Sequence, residues 1–267
     1  MTQLTRIAII GAAGRMGRRI AALAIESEQF DIVAATENPS TGQAGKDVGE
    51  LAGVGKFGLA VTDSIPDDVF PEVAIDFSLP EGTLAVLPIC RKKNTAMVIG
   101  TTGLTESQQA EVADSASQIP IIHASNYSVG INVLLKVVSD VTAALGKDYD
   151  IDISETHHRF KKDAPSGTAI SLARSVCQAR GVDYGEVAVL GRGGQSPRKP
   201  GEIGMHALRL GDTVGEHQVH FGNLGETVTI AHSAHTRDTF VRGALRAAKW
   251  LAGKKPGMYD MPDVLGL

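Results

Sequence analysis

The chain has 267 residues, enough for one large domain or two modest ones, with 43% apolar residues and a formal net charge of −4. With no global basic field and only 4% aromatic residues, neither duplex nor single-stranded nucleic acid is an expected partner. The two cysteines, Cys90 and Cys177, show no metal-ligand spacing and are expected as small buried fillers on helices in a reducing compartment. The N-terminal residues run at once into a strand and no apolar run is long enough to span a bilayer, so a soluble, cytoplasmic protein without membrane contact is expected.

Arg6 to Ile10 is a short apolar run of the kind found in buried parallel strands. It leads into Gly11-Ala12-Ala13-Gly14-Arg15-Met16-Gly17, then an amphipathic helix with Ile20, Leu23, Ala24 and Phe30 on its inner side. Asp31 to Thr36 reads as a second strand, ending at Glu37. This strand–glycine turn–helix–strand–acid order is that of a dinucleotide site. The glycines let a pyrophosphate approach the helix N-terminus, and the acid accepts hydrogen bonds from the ribose hydroxyls. The spacing is G-x-x-G-x-x-G, with Ala13 where the usual fingerprint has its middle glycine.

The first half continues as alternating strands and helices. A glycine-rich loop, 41–58, with one helical turn, precedes a strand at 73–78 and a helix through Lys92. A strand at 96–100, a helix at 107–117 and a strand at 119–123 follow. The alternation predicts a doubly wound parallel sheet, whose ligands sit at the strand carboxyl ends. Position alone therefore marks four cofactor loops: the glycine turn, Phe77-Ser78, Gly100-Thr101-Thr102, and Ala124-Ser125-Asn126-Tyr127.

After Tyr127 the pattern changes. A long apolar-periodic helix, 131–145, leads to a half-buried strand at 150–156. Gly191 to Gly201 has a composition that suggests a mobile loop. Strands follow at 203–209, 215–221 and 226–233, the last two joined by a hairpin turn at Asn223-Leu224-Gly225, and then a final amphipathic helix, 239–253. Strands clustered without helices imply an α+β second domain with an open mixed sheet, whose uncovered face and edges predict an oligomer. The expected division is 1–128 for dinucleotide binding, 129–238 for substrate binding and oligomerisation, and 239–267 as a C-terminal helix returning to the first domain.

The richest stretch is His157-His158-Arg159-Phe160-Lys161-Lys162-Asp163-Ala164-Pro165-Ser166-Gly167-Thr168. Two imidazoles and three fixed cations stand just ahead of a helix start, with Pro165 and Ser166 as entry residues and Gly167-Thr168 opening the first turn of helix 169–180. A helix start offers N–H donors and a positive dipole end. Together these predict a pocket for a small polyanion on which a proton is moved.

These residues resemble the family of 4-hydroxy-tetrahydrodipicolinate reductases, also called dihydrodipicolinate reductases. The signature is carried by Glu155-Thr156-His157-His158-Arg159 with Lys161, Asp163 and Ala164 to Thr168. Gly11 to Gly17, Gly100 to Gly103, Asn126 to Asn132, Gly215-Glu216-His217 and the ending Tyr259 to Leu267 fit as well, so the resemblance covers essentially the whole chain. It implies a Rossmann domain that binds NADH or NADPH, a substrate domain that forms a homotetramer through its sheet, and a dicarboxylate substrate in the diaminopimelate route to lysine. It also implies His157 as general acid/base, Lys161 as second proton donor, and His158, Gly167 and Thr168 as holders of the substrate carboxylates. The cofactor is implied to lie on Gly11, Ala12, Ala13, Gly14, Arg15, Met16, Glu37, Gly100, Thr101, Thr102 and Ala124 to Tyr127.

Where some relatives place an arginine after the acid, this chain has Asn38, which favours NADH: Glu37 would repel a 2′-phosphate unless Arg15, Arg18 or Arg19 reached it. Two other functions share parts of the pattern: an aspartate-type amino-acid dehydrogenase on the same plan, and a non-catalytic NAD-binding sensor. His217-x-x-His220 and His232-x-x-His235 also invite a metal site, but residues three apart on a strand face opposite sides, so no resident metal is expected.

Overall fold

The computed structural model describes residues 4–267. Two compact units emerge. One ends at Ser128 and takes the chain up again from Asp238 to Gly266; the other is Val129–Arg237 with Leu267.

The first unit is built in the order β1 (Thr5–Ile10), α1 (Arg15–Ser27), β2 (Phe30–Thr36), α2 (Val48–Ala52), β3 (Val73–Asp76), α3 (Pro80–Lys93), β4 (Ala96–Ile99), α4 (Glu106–Ser115) and β5 (Pro120–His123). Phe30 opens β2 and is buried, rather than extending the inner side of α1. The buried strands alternate between two cores, because successive side chains leave opposite faces. Ile7 and Ile9 pack into one core with Ile20, Leu23 and Ala24 of α1. Ala8 and Ile10 pack into the other, with Leu87 and Cys90 of α3 and Val112 of α4.

The second unit contains α5 (Val129–Leu145), β6 (Asp150–His157), α6 (Gly167–Arg180), α7 (Tyr184–Val187), β7 (Ala188–Leu190), β8 (Ile203–Arg209), β9 (Gly215–Asn223) and β10 (Glu226–Ala234). The sheet order is β10-β9-β6-β8-β7, with β6–β8 and β7–β8 parallel and β6–β9 and β9–β10 antiparallel. The expected mixed sheet is thus present, with β7 as an additional edge strand. One face is covered by α5 and α6 through Leu134, Val138, Leu172, Val176 and Cys177 against Ile151, Ile153, Val219 and Phe221.

The Gly191–Gly201 segment, expected to be mobile, is tied down by arginines its glycine-rich composition disguises. Arg198 pairs with Asp150 and Asp152 and donates to the carbonyls of Ile151 and Glu202, while Arg192 pairs with Glu202. Arg198 is therefore spent within the unit.

The chain then forms α8 (Asp238–Leu251), β11 (Gly257–Tyr259) and α9 (Met261–Leu265) in the first unit. The final segment is more than the single helix expected: β11 pairs parallel with β5 and completes a six-stranded sheet in the order β11-β5-β4-β3-β1-β2. The amphipathic signal of α8 was readable, but a three-residue strand carries too few side chains to show a period.

Candidate active site

In the first unit the strand order 2-1-3-4-5 reverses between β1 and β3, and ligands of such sheets bind outside the strand ends at that point. The glycine turn occupies it. Gly11 has φ +76, a value that disfavours any side chain, and its N–H and that of Ala12 donate to the Thr36 carbonyl at 3.0 and 2.9 Å. A β-carbon on Gly17 would stand 2.1 Å from the Gly11 carbonyl oxygen, so only glycine lets α1 approach the turn. Glu37, at the end of β2, accepts from the Ala13 N–H at 2.9 Å and the Asn38 N–H at 2.9 Å.

A cavity of about 630 Å³ opens here, lined by Gly11, Gly14, Glu37, Asn38, Ser78 and Leu79 among others. It is polar at Glu37 and apolar at Ile65, Val86 and Ile89, a lining that suits a nucleotide. Three carboxylates, Glu37, Asp63 and Glu81, line it, and among the described residues no Lys or Arg does. Arg19 is engaged with Asp238 at 2.6 Å and Arg18 donates to the Ala13 carbonyl at 2.7 Å. Beneath the cavity, fully buried Asp76 accepts from the hydroxyls of Ser78 and Thr83, both at 2.5 Å, which fixes the Phe77–Ser78 loop against α3. Burial pushes the Asp76 carboxyl above the usual range despite those bonds.

The other predicted cofactor loops lie at the ends of β4 and β5. Thr101 is buried and Thr102 exposed. Ser125 is exposed, and Ala124 and Asn126 are half-buried. Tyr127 is different: its ring is buried, its hydroxyl donates to the Ile99 and Ile122 carbonyls at 2.9 and 3.2 Å, and its ring packs on Phe77. Its side chain therefore braces β4 and β5, and only its backbone is left to meet a ligand.

In the second unit, β6 delivers Glu155 and His157, the following loop delivers His158 and Lys161, and α6 begins at Gly167. Ser166 caps that helix, its hydroxyl accepting from the Ala169 N–H at 3.2 Å. The Gly167 N–H has no acceptor among the described residues, and the space where its β-carbon would be is open. His158 is half-buried with Nδ1 lacking a hydrogen-bond partner among the described residues. Lys161 pairs with Asp163 at 2.9 Å, which holds the Asp163 carboxyl below its ordinary range. Arg159 and Lys162 are exposed.

His157 is nearly enclosed, with 12% of its side chain exposed. Its Nδ1 meets Glu155 Oε2, and its ring packs edge-on against His217 at 5.2 Å. Glu155, 1% exposed, also takes two hydrogen bonds from Arg209 at 2.9 and 3.0 Å and one from the Ser166 N–H at 3.1 Å. Burial pushes the Glu155 carboxyl up, but the bonds from Arg209 and His157 outweigh it and hold it below the usual range. Burial lowers the His157 pKa; Glu155 opposes this, Lys161 and Arg209 reinforce it, and the net shift is downward. Burial drops His217 to about 4, leaving it a neutral imidazole hydrogen-bonded to the Ser166 hydroxyl at 3.1 Å.

Glu155, Arg209 and His217 were not singled out as site residues from the sequence. One signal was there: Ile151, Ile153 and Glu155 share the inward face of β6, and a carboxylate on a buried face needs partners. Of the other histidines in the two spaced pairs, His220 and His232 lie on strands and His235 on the bend after β10. His220 contacts Ser154 and Thr229, and His232 stands opposite His217 across β9 and β10.

A doubly wound sheet with a glycine turn and Glu37 at the end of β2, joined in one chain to a loop rich in histidine and lysine, has the plan of its class: this is an NAD(P)H-dependent oxidoreductase. Residues 5–127 match the family profile described as dihydrodipicolinate reductase, N-terminus, and residues 130–265 the one described as dihydrodipicolinate reductase, C-terminus. The 4-hydroxy-tetrahydrodipicolinate reductase of Alkalilimnicola ehrlichii is 49% identical over 265 residues, covering 98% of this chain and 99% of its own. That of Citrifermentans bemidjiense is 48% identical over 266 residues, covering 99% and 100%. The solved structure of dipicolinate-bound dihydrodipicolinate reductase from Paenisporosarcina sp. TG-14 shares the fold, with a TM-score of 0.74 at 24% identity, covering 97% of this chain and 98% of that one. The chain belongs to the dihydrodipicolinate reductase family.

Proposed function

We propose that this chain reduces (2S,4S)-4-hydroxy-2,3,4,5-tetrahydrodipicolinate to (S)-2,3,4,5-tetrahydrodipicolinate and water, in the diaminopimelate route to lysine. The observation that carries the reading is the assembly of His157, His158, Lys161 and the Gly167 N–H around one loop at the start of α6. A substrate with two carboxylates matches it. One carboxylate is received by the Gly167-Thr168 helix start and His158, where donors and the dipole favour an anion. Loss of the ring hydroxyl as water gives a conjugated imine. When bound, the dinucleotide would supply the hydride accepted by the carbon that bore the hydroxyl. The charge left on the ring is quenched by a proton from His157, with Lys161 as second donor. The dinucleotide would be held by Gly11 to Met16, Glu37, Gly100 to Thr102 and the backbone of Ala124 to Tyr127.

NADH is the favoured cofactor. The carboxylates of Glu37, Asp63 and Glu81 line the cavity, no described Lys or Arg lines it, and Arg19 is paired with Asp238. No described helix is long and apolar enough to cross a membrane, and we place the enzyme in the cytoplasm, where its cofactor pool lies. The sheet face opposite α5 and α6 carries exposed Leu208, Gln218, Thr229 and Ala231, which supports assembly of a homotetramer through it.

The test is NADH oxidation with substrate generated in the cuvette from pyruvate and aspartate semialdehyde by the preceding synthase. Rapid oxidation that depends on the synthase is expected. NADH binding without oxidation would sink the substrate assignment and point to an amino-acid dehydrogenase or a sensor.

A further inference from the structure

We propose that Glu155 is a positioning residue that selects the tautomer of His157 and sustains its proton-donor form. The inference rests on His157 being the donor in the reading above.

The geometry is over-determined on one side and free on the other. Glu155 is gripped by Arg209 through both carboxylate oxygens and by the Ser166 N–H, so it cannot swing away from β6. A carboxylate held by a guanidinium fork and a backbone N–H is fixed in orientation as well as in charge. Its remaining approach is taken by His157 Nδ1. An ionised carboxylate only accepts, so the proton on this edge resides on Nδ1. Nε2 is then the atom left to exchange a proton. On that side Gly215 stands where a β-carbon would come to 3.1 Å of Nε2.

The charges around the ring decide what this arrangement does. From its own strand His157 faces Glu155; from the following loop, Lys161, whose partner is Asp163; from β8, Arg209; from β9, His217, which is neutral. Lys161 and Arg209 both disfavour the imidazolium, as does burial, and Glu155 is the anion that resists them. In the free site the imidazole is neutral at pH 7. A substrate bearing two carboxylates adds the negative charge that completes the balance, so proton loading is coupled to substrate binding. Without Glu155, burial, Lys161 and Arg209 would still oppose the imidazolium.

Two measurements test this. In the unmodified protein, ¹⁵N resonances of the His157 ring are expected to show the Nδ1–H tautomer; an Nε2–H tautomer overturns the proposal and needs no variant to fold. In Glu155→Gln, which removes the charge and replaces one acceptor oxygen by a donor NH2, the falling limb of kcat/KM against pH is expected about one unit or more lower. Turnover at neutral pH then drops on the order of tenfold or more, and the two enzymes converge at low pH. A loss that is uniform across pH with the limb unmoved would assign Glu155 a packing role and overturn the proposal. If His157→Gln kept full turnover, the donor reading would fall while the tautomer result stood.

Discussion

Gly243 on α8 lies so close to the carbonyl oxygen of Tyr127 that a β-carbon would stand 1.7 Å from it. Tyr127 cannot retreat, because its hydroxyl is bonded to the carbonyls of Ile99 and Ile122. The same residue thus braces β4 and β5 and receives α8. Gly243→Ala gains about 1 kcal/mol of helix propensity, but overpacking against backbone costs about 3 kcal/mol. A net loss of stability is expected in urea denaturation of the variant. An unchanged midpoint would mean that α8 slides without penalty.

His157→Gln removes the titrating group while keeping a polar side chain of similar reach. Turnover is expected to fall on the order of 10²–10⁴-fold. NADH affinity, read by fluorescence titration, is expected to be nearly intact, because the glycine turn and Glu37 are untouched. An equal loss of cofactor binding would make His157 a structural residue.

Glu37→Ala should shift the ratio of kcat/KM for NADPH over NADH upward. The carboxylate would stand beside a 2′-phosphate, and like charges set against each other cost several kcal/mol. A change on the order of tenfold in the ratio is expected, partial because Asp63 and Glu81 remain in the cavity. Michaelis constants measured side by side decide it. A wild-type preference for NADPH would overturn the assignment of NADH.

The second unit should weaken in mild acid. His217 is held at about 4 by burial, against 6.5 when unfolded. Between those values the unfolded chain binds the extra proton and the folded chain does not, so stability falls as pH drops through that window and levels off below it. Its full contribution is on the order of 3 kcal/mol. His232, also lowered by burial, acts in the same direction. Stability of wild type and His217→Gln, compared at pH 7 and pH 5, is expected to differ in slope, the variant losing less on acidification. Parallel slopes would show that His217 is protonated without penalty in the fold.

Much of the molecule was legible along the chain. The alternation of strands and helices through residue 123, the glycine turn with Glu37, and the two imidazoles before a capped helix each depend on residues close in sequence. Local spacing, backbone freedom and capping chemistry are enough to define such features. The mixed second sheet was legible for the same reason, since the alternation in β8, β9 and β10 is strong and the turn at Leu224-Gly225 is short.

Tertiary structure alone decided what those residues meet. Glu155 and Arg209 are 54 positions apart and come together because β6 and β8 pair in parallel with His157 opposite Arg209. No local pattern encodes that register. The Gly191–Gly201 segment read as mobile because glycines and prolines carry no packing signal, yet the carboxylates that hold Arg198 lie on β6, more than forty positions earlier. Tyr127 shared a loop with residues expected to face a cofactor, and only the placement of Ile99 and Ile122 turned its side chain inward. Periodicity shows which face of an element is buried; the partners on that face are chosen by elements distant in the chain, and electrostatics then sets the chemistry they perform.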